Sequence, residues 1–317
     1  MTEFYMIAGF LLAAYSVVAN DSIQTLGTFL SSNSHRPWWT LWLFASGILS
    51  VVLIVGWTQY QGDVSYGRLQ VIPEPPVFSW IYCVAPLVLL VLTRTGVPVS
   101  TTFLILTVFS AKALGPMLIK SLAGYVASFV TAILIYRWVV IKWEKRFAAR
   151  GAKKASPKWM VFQWMSTGYL WSMWLIQDLA NIFVYLQRQL TFIHLLLALL
   201  ALVGFQAIVF RSHGGAIQKI VSSKTNSSEI RSATIIDFIY ATILLVFKEA
   251  SHFPMSTTWA FLGLLAGREL GLTLAMQHRS KKEVGKIIGS DASRAFLGLA
   301  VSVVLALCLP WLQRQLN

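Results

Sequence analysis

The chain has 317 residues, of which 56% are hydrophobic and 12% charged, and its formal net charge is +14. A soluble domain is about a quarter charged, so this composition excludes a large water-soluble domain. The excess of Lys and Arg collects in short loops between apolar runs; it therefore reads as a membrane-orientation signal, not as a nucleic-acid surface.

Apolar runs of about 18 residues or more, the length that crosses a hydrocarbon core as a helix, recur from end to end. The first extends from about Phe4 to Leu30 and is interrupted by Asn20-Asp21 and Gln24. Met1-Thr2-Glu3 lacks a basic start, so this run is expected to be retained and not cleaved as a signal peptide. A second run covers Trp38 to about Thr58, and a polar connection over 61–76 follows, holding Asp63, Arg68, Glu74 and three prolines. The third run spans about Val77 to Thr93, the fourth contains Ser100-Thr101-Thr102, and the fifth spans about Ile119 to Val140.

The stretch Lys142–Lys158 holds seven Lys or Arg against one Glu and reads as a linker between residues 1–141 and 159–317. The sixth run, about Trp159 to Leu190, is interrupted by Gln177-Asp178 and Asn181. The seventh covers Phe192–Phe210, and a polar loop over 211–232 follows it. The eighth covers about Ala233–Phe247, the ninth carries Ser256-Thr257-Thr258, and the tenth, about Ala295–Leu312, follows a basic loop over 279–294. Cys83 and Cys308 lie in apolar runs and read as small core residues. Gly263, Gly267 and Gly271 read as a close helix-packing face, and Trp38, Trp39, Trp57, Trp143 and Trp159 as interface anchors. His35, His213 and His278 fall in loops, and His252 falls at a mouth.

The second half repeats the first. Pro98-Val99-Ser100-Thr101-Thr102 returns as Pro254-Met255-Ser256-Thr257-Thr258 at an offset of 156, Asp21 returns as Asp178 at 157, and Lys112 as Arg268 at 156. Three matches at nearly one offset indicate an internal duplication. With the linker in the cytoplasm, the net-positive loops over 211–232 and 279–294 also fall inside, and the net-negative 61–76 loop and both termini fall outside. An odd number of crossings per half then inverts the two halves. The expected fold is all-α and polytopic, with two inverted repeats of about five membrane segments each and helices broken at mid-membrane. That arrangement is typical of secondary transporters in the plasma (inner) membrane, surrounded by lipid.

An ionised carboxylate inside a bilayer is costly and faces a partner or the protein interior. Asn20-Asp21-x-x-Gln24 and Gln177-Asp178-x-x-Asn181 share one pattern, in which two amides four apart stack on a helix face beside an Asp. Carboxylate, amide and hydroxyl oxygens suit a hard cation. Hydroxyls, amide NH₂ groups and exposed helix N-termini suit an oxyanion. Lys112 and Arg268 have two readings, an anion-attracting pair or side chains that snorkel to the membrane surface. Glu269 neighbours Arg268, but adjacent helix positions point about 100° apart. Lys248 and Glu249 read either as a charge-compensating pair or as interfacial residues.

Ala19-Asn20-Asp21-x-x-Gln24-x-x-Gly27, followed in each half by Pro-x-Ser-Thr-Thr, resembles the inorganic phosphate transporter (PiT) family, which carries two inverted copies of Gly-Ala-Asn-Asp-Val-Ala-Asn and Pro-x-Ser-Thr-Thr. Val18 stands at the leading glycine, Gln24 at the second asparagine, and Ile176-Gln177 precede Asp178. The resemblance implies symport of phosphate, or in relatives sulfate, with Na⁺ or H⁺ and no other cofactor; a homodimer is among the partners it allows. It implies that Asp21 and Asp178 hold the cation, with Asn20, Gln24, Gln177 and Asn181 helping, and that Gln24 and Asn181 also reach the substrate. Ser100, Thr101, Thr102, Ser256, Thr257 and Thr258 would meet the substrate oxygens. A different class, a membrane-embedded Mg²⁺-dependent transferase, is faintly suggested by Asn20-Asp21. It needs clustered carboxylates, and the residue four after Asn20 is Gln24.

Overall fold

The computed structural model describes residues 2–94, 99–140, 156–212, 230–250, 254–276 and 281–316. Pro98, most of the basic linker (142–155), most of the 211–232 loop, His213, His252, His278 and the side chain of Gln24 lie outside the described residues. Among the described residues every regular element is helical: α1 (Thr2–Ser32), α2 (Trp38–Gln59), α3 (Ile81–Arg94), α4 (Thr101–Phe109) and α5 (Leu114–Ile135) in the first half. The second half holds α6 (Pro157–Asp178), α7 (Ala180–Phe183), α8 (Phe192–Arg211), α9 (Ile230–Ala250), α10 (Thr257–Met276) and α11 (Lys281–Leu316). Short 3₁₀ turns at Arg68–Val71 and Ala111–Ala113 and a π turn at Tyr136–Val140 complete the set.

Five helices among these are long and apolar enough to cross a membrane, over Thr2–Ser22, Trp38–Gln59, Ala111–Trp138, Phe192–Arg211 and Lys282–Leu309. Their outer faces present Leu43, Val51, Ile119, Val126, Leu200 and Leu307. So much exposed apolar surface is at home only against lipid, and the molecule is an integral membrane protein.

The third and fourth apolar runs do not each cross the membrane, as the sequence led us to expect. α3 has 14 residues and α4 has 9. At 1.5 Å rise per residue they reach about 21 and about 14 Å, well short of a hydrocarbon core of about 30 Å. The start of α3 instead packs on the end of α4: the Tyr82 and Phe109 ring centroids are 4.9 Å apart, and Ile81 and Ala85 cluster with Val108. The pair is a hairpin whose two outer ends share one side of the molecule. A hairpin adds no net crossing to the first half.

Helix directions follow from close packing. A Cβ on Gly263 would lie 2.3 Å from the Tyr125 carbonyl oxygen, and one on Gly267 would lie 2.2 Å from that of Phe129. The two glycines let α10 lie backbone to backbone on α5, and because 263 meets 125 and 267 meets 129, the two helices run parallel. α11 accompanies α4 in the same way, with Gly298 at Val99 and Leu309 at Val108. α4 returns to the side from which α5 departs, so α10 runs opposite to α4.

Two further expectations change, the interruption at Asn20-Asp21 and the core place of Cys308. α1 runs unbroken through Asn20 and Asp21, because those side chains bond to residues of other segments and leave the helix's own backbone ladder intact. The helical runs do break before each Ser-Thr-Thr, where a proline precedes the motif and 99–100 and 254–256 are non-helical, and a slight break falls at Leu179. Cys308 is exposed, whereas Cys83 is buried. Trp171 and Trp174 are buried and stacked at 4.8 Å as part of the core. The polar 61–76 connection folds inward, burying Val64, Ser65, Arg68 and Leu69.

The glycine contacts generate a test. Gly267→Ala should lower thermal stability in detergent by about 1–3 kcal/mol through overpacking. Gly204→Ala, where a Cβ meets nothing within 4 Å, should be neutral or gain up to about 1 kcal/mol of helix propensity. Equal unfolding temperatures for both variants would contradict the α5–α10 interlock.

Candidate functional site

Each Ser-Thr-Thr begins a helix, and its serine is the cap. Ser100 Oγ accepts from the Phe103 N–H at 3.2 Å, and Ser256 Oγ accepts from the Trp259 N–H at 3.2 Å. Serine at this position satisfies an N–H that the helix cannot. The two serines thus act first as caps, each retaining its own O–H hydrogen to donate.

The threonines that follow tie the two halves together. Thr102 Oγ1 donates to the Met255 carbonyl at 3.2 Å, and Thr258 Oγ1 donates to the Val99 carbonyl at 3.3 Å. Thr102 and Thr258, like Val99 and Met255, are 156 positions apart, so the contact is given and returned. Phe103 and Trp259, also 156 apart, meet edge to face at 5.5 Å.

Asp21 and Asp178 join this crossing. Asp21 Oδ2 accepts from Thr101 Oγ1 at 2.7 Å, and its Oδ1 accepts from Asn20 Nδ2 at 2.6 Å; Asn20 Nδ2 also reaches the Val99 carbonyl at 3.0 Å. Asp178 Oδ1 accepts from Asn181 Nδ2 at 2.8 Å and lies 3.2 Å from Thr102 Oγ1, whose single hydrogen it shares with the Met255 carbonyl. Asn181 Nδ2 also lies 3.0 Å from Thr101 Oγ1 and 3.3 Å from Thr102 Oγ1. A continuous path therefore runs from Asp21 through Thr101 and Asn181 to Asp178, and both carboxylates are 1% exposed or less. Thr257 lies beside the Asp178 carboxylate.

The atoms left over indicate what the site can take. Asp178 Oδ2, Asn20 Oδ1, Gln177 Oε1 and Asn181 Oδ1 are buried and accept no hydrogen bond among the described residues. The matching amide nitrogens are committed to protein: Gln177 Nε2 donates to the Leu244 carbonyl at 3.0 Å. Open oxygens next to buried carboxylates suit a hard cation. The open atom of Asn181 is an acceptor, and its Nδ2 is held by Asp178 and the Thr101 and Thr102 hydroxyls.

Lys112 and Arg268 are not brought to the network. Lys112 is exposed on the Ala111–Ala113 turn. Arg268 is buried, pairs with Glu269 through Nη1–Oε1 at 2.8 Å, and sits 5.6 Å over the Tyr136 ring. Adjacent helix positions diverge, but these two side chains are long enough to bend back to each other, so the Arg268 charge is compensated inside the protein. Lys248 and Glu249 form an ion pair at 2.8 Å near the end of α9.

Two residues escaped the sequence reading. Asp237 on α9 accepts from Thr28 of α1 at 2.7 Å and from Thr167 of α6 at 2.5 Å. Its signal was the one that found Asp21, a lone carboxylate in an apolar run. Arg68 is 2% exposed and donates from Nε to the Ile176 carbonyl at 2.8 Å. Its place in a polar, Pro-rich connection gave no signal.

No protein-family model and no curated protein matches the sequence. A solved structure titled "The sodium-dependent phosphate transporter" superposes with a TM-score of 0.61 at 17% identity, covering 99% of this chain and 98% of that one. The chain has the fold of that transporter.

Thr101 is the link whose loss is most easily read. Thr101→Val strips Asp21 Oδ2 of its donor and Asn181 of an acceptor, and should destabilise the protein by about 1–3 kcal/mol. Thr242→Val, an exposed hydroxyl bonded only to the Phe238 carbonyl four residues back, should stay within about 0.5 kcal/mol. Thermal unfolding in detergent checks this, and equal effects would mean that the network does not hold the halves together.

Proposed function

We propose that the protein is a cation-coupled secondary transporter of a small inorganic oxyanion, with phosphate as the first candidate. The observation that carries this reading is the crossing of two half-helices over a buried carboxylate pair with open oxygens. Asp21 and Asp178 supply negative charge, and the amide oxygens of Asn20, Gln177 and Asn181 complete a donor set of the kind Na⁺ prefers. The first turns of α4 and α10 offer backbone N–H groups and the positive ends of two helix dipoles to an anion. A cation and an anion held side by side compensate each other's charge, which is a physical basis for coupling their movement.

The reciprocal contacts at an offset of 156 and the opposite directions of α4 and α10 support two inverted repeats. In such folds the site lies between the repeats and is exposed alternately to either side by rocking. The positive-inside rule then places the 142–158 linker in the cytoplasm and both termini outside. Phosphate leads because the solved structure of like fold is named for sodium-dependent phosphate transport; sulfate is the nearest competitor. A Mg²⁺-dependent transferase needs clustered carboxylates, and among the described residues no three His, Cys, Asp or Glu gather as a metal group.

The test is uptake by the purified protein in liposomes, with labelled phosphate and sulfate and with Na⁺ and H⁺ gradients imposed separately. The expected result is phosphate accumulation driven by one inward cation gradient. Asp21→Asn and Asp178→Asn keep shape but remove charge, and each should cut gradient-driven uptake by about tenfold or more. Full gradient-driven uptake in both variants would overturn the cation assignment.

A further inference from the structure

We propose that Arg68, carried by the connection between α2 and α3, is an anion-binding residue of the transport site. The inference rests on the transport reading above and names the protein cation that would meet the anion.

The connection is built to deliver this side chain. Asp63 folds the approach, its Oδ1 accepting from the Ser65 N–H at 2.7 Å and its Oδ2 from the Gly67 N–H at 2.9 Å. Tyr66 and Gly67 adopt left-handed backbone, with φ of 56° and 76°. That conformation is natural for glycine and strained for tyrosine, a strain held only where surroundings enforce it. Here the Tyr66 hydroxyl donates to the Val52 carbonyl at 2.6 Å, and the Leu190 N–H donates to the Gly62 carbonyl at 3.0 Å. The segment is thus pinned to α2 and to the chain after α7, with Arg68 as the first residue of the 3₁₀ turn.

The guanidinium is only partly satisfied. Nε donates to the Ile176 carbonyl, two residues before Asp178, while Nη1 is buried and without a hydrogen-bond partner among the described residues. A buried cation with an unpartnered donor costs several kcal/mol unless something meets it. Asp178 lies within Coulombic range but forms no ion pair with it. The other charges within reach are Glu249, itself paired to Lys248, and the half-buried Lys120. A residue serving only to neutralise Asp178 would make the bidentate pair that arginine geometry favours. A guanidinium nitrogen left open within Coulombic range of Asp178 instead fits a tetrahedral oxyanion that meets Arg68 on one side and the cation on the other.

The experiment measures sodium affinity without phosphate, and inorganic phosphate affinity at saturating sodium, by thermal stabilisation of the full chain in detergent. Wild-type protein stabilised by neither ligand would defeat the transport reading itself. Given a wild-type response, Arg68→Gln should raise the phosphate Kd about tenfold or more while leaving the sodium Kd unchanged or lower. A phosphate Kd within about twofold of wild type would overturn the assignment. If Arg68→Gln does not fold, Arg68→Lys decides. It keeps the charge but loses the fork, and should weaken phosphate by about threefold or more; an unchanged phosphate Kd would reject the guanidinium's role.

Discussion

The constraint on which the structure depends is that a carboxylate carried into the bilayer must be met by protein. Asp178 sits at the end of α6 and Asp21 inside α1, both out of contact with solvent. Water would otherwise supply several hydrogen bonds to each, and at this depth unsatisfied polar groups cost several kcal/mol. The hydroxyls of Thr101 and Thr102 and the Asn181 amide fill most of that need. To bring those hydroxyls to the carboxylates, the chain has to break before Thr101 and start a helix in the middle of the molecule. The hairpin architecture follows from that requirement, and the serine caps make the start stable.

The same requirement explains why a few oxygens are left open. Amide nitrogens have two hydrogens, and here they go to carbonyls, hydroxyls and carboxylates of the protein. The amide oxygens of Asn20, Gln177 and Asn181 are left without a hydrogen bond among the described residues, while Thr101 spends its one hydrogen on Asp21 and Thr258 spends its own on the Val99 carbonyl. A site of this composition is short of positive charge. On the proposed reading a cation supplies part of it and Arg68 another part, so that an anion can enter without leaving net charge buried. Around the site, α5 is interlocked with α10 and α11 lies along α4. Glycine contacts too close for any Cβ lock α5 against α10. On the proposed reading, rocking would act between such pairs and not within them, and would exchange the Thr102–Met255 and Thr258–Val99 bonds.

Much of this was legible in the sequence. Asp21, Asp178 and the two Ser-Thr-Thr copies stood out because polar residues within apolar runs are expensive, and the structure joins them in one network. The near-constant offset is matched by the reciprocal contacts Thr102–Met255 and Thr258–Val99. The hairpin was not, since α3 and α4 differ from a true crossing only in length, and a run's length is blurred where the chain bends. Arg68 was hidden for a related reason: its neighbours Asp63, Ser65 and Gly67 look like a solvated loop, but they hydrogen-bond among themselves and so can be buried. The partnership of Arg268 with Glu269 was misjudged because backbone periodicity fixes where side chains begin, and long side chains end elsewhere.

The most direct test of the cation site is a crystal structure of the protein grown with thallium(I), a strongly scattering surrogate for a monovalent alkali cation. The account predicts an anomalous peak at coordination distance from Asp178 Oδ2 and Asn181 Oδ1, near Asp21, and its loss when sodium is added in excess. Crystals that show thallium only at other positions, with both carboxylates still held by Thr101 and Thr102 as they are here, would contradict it.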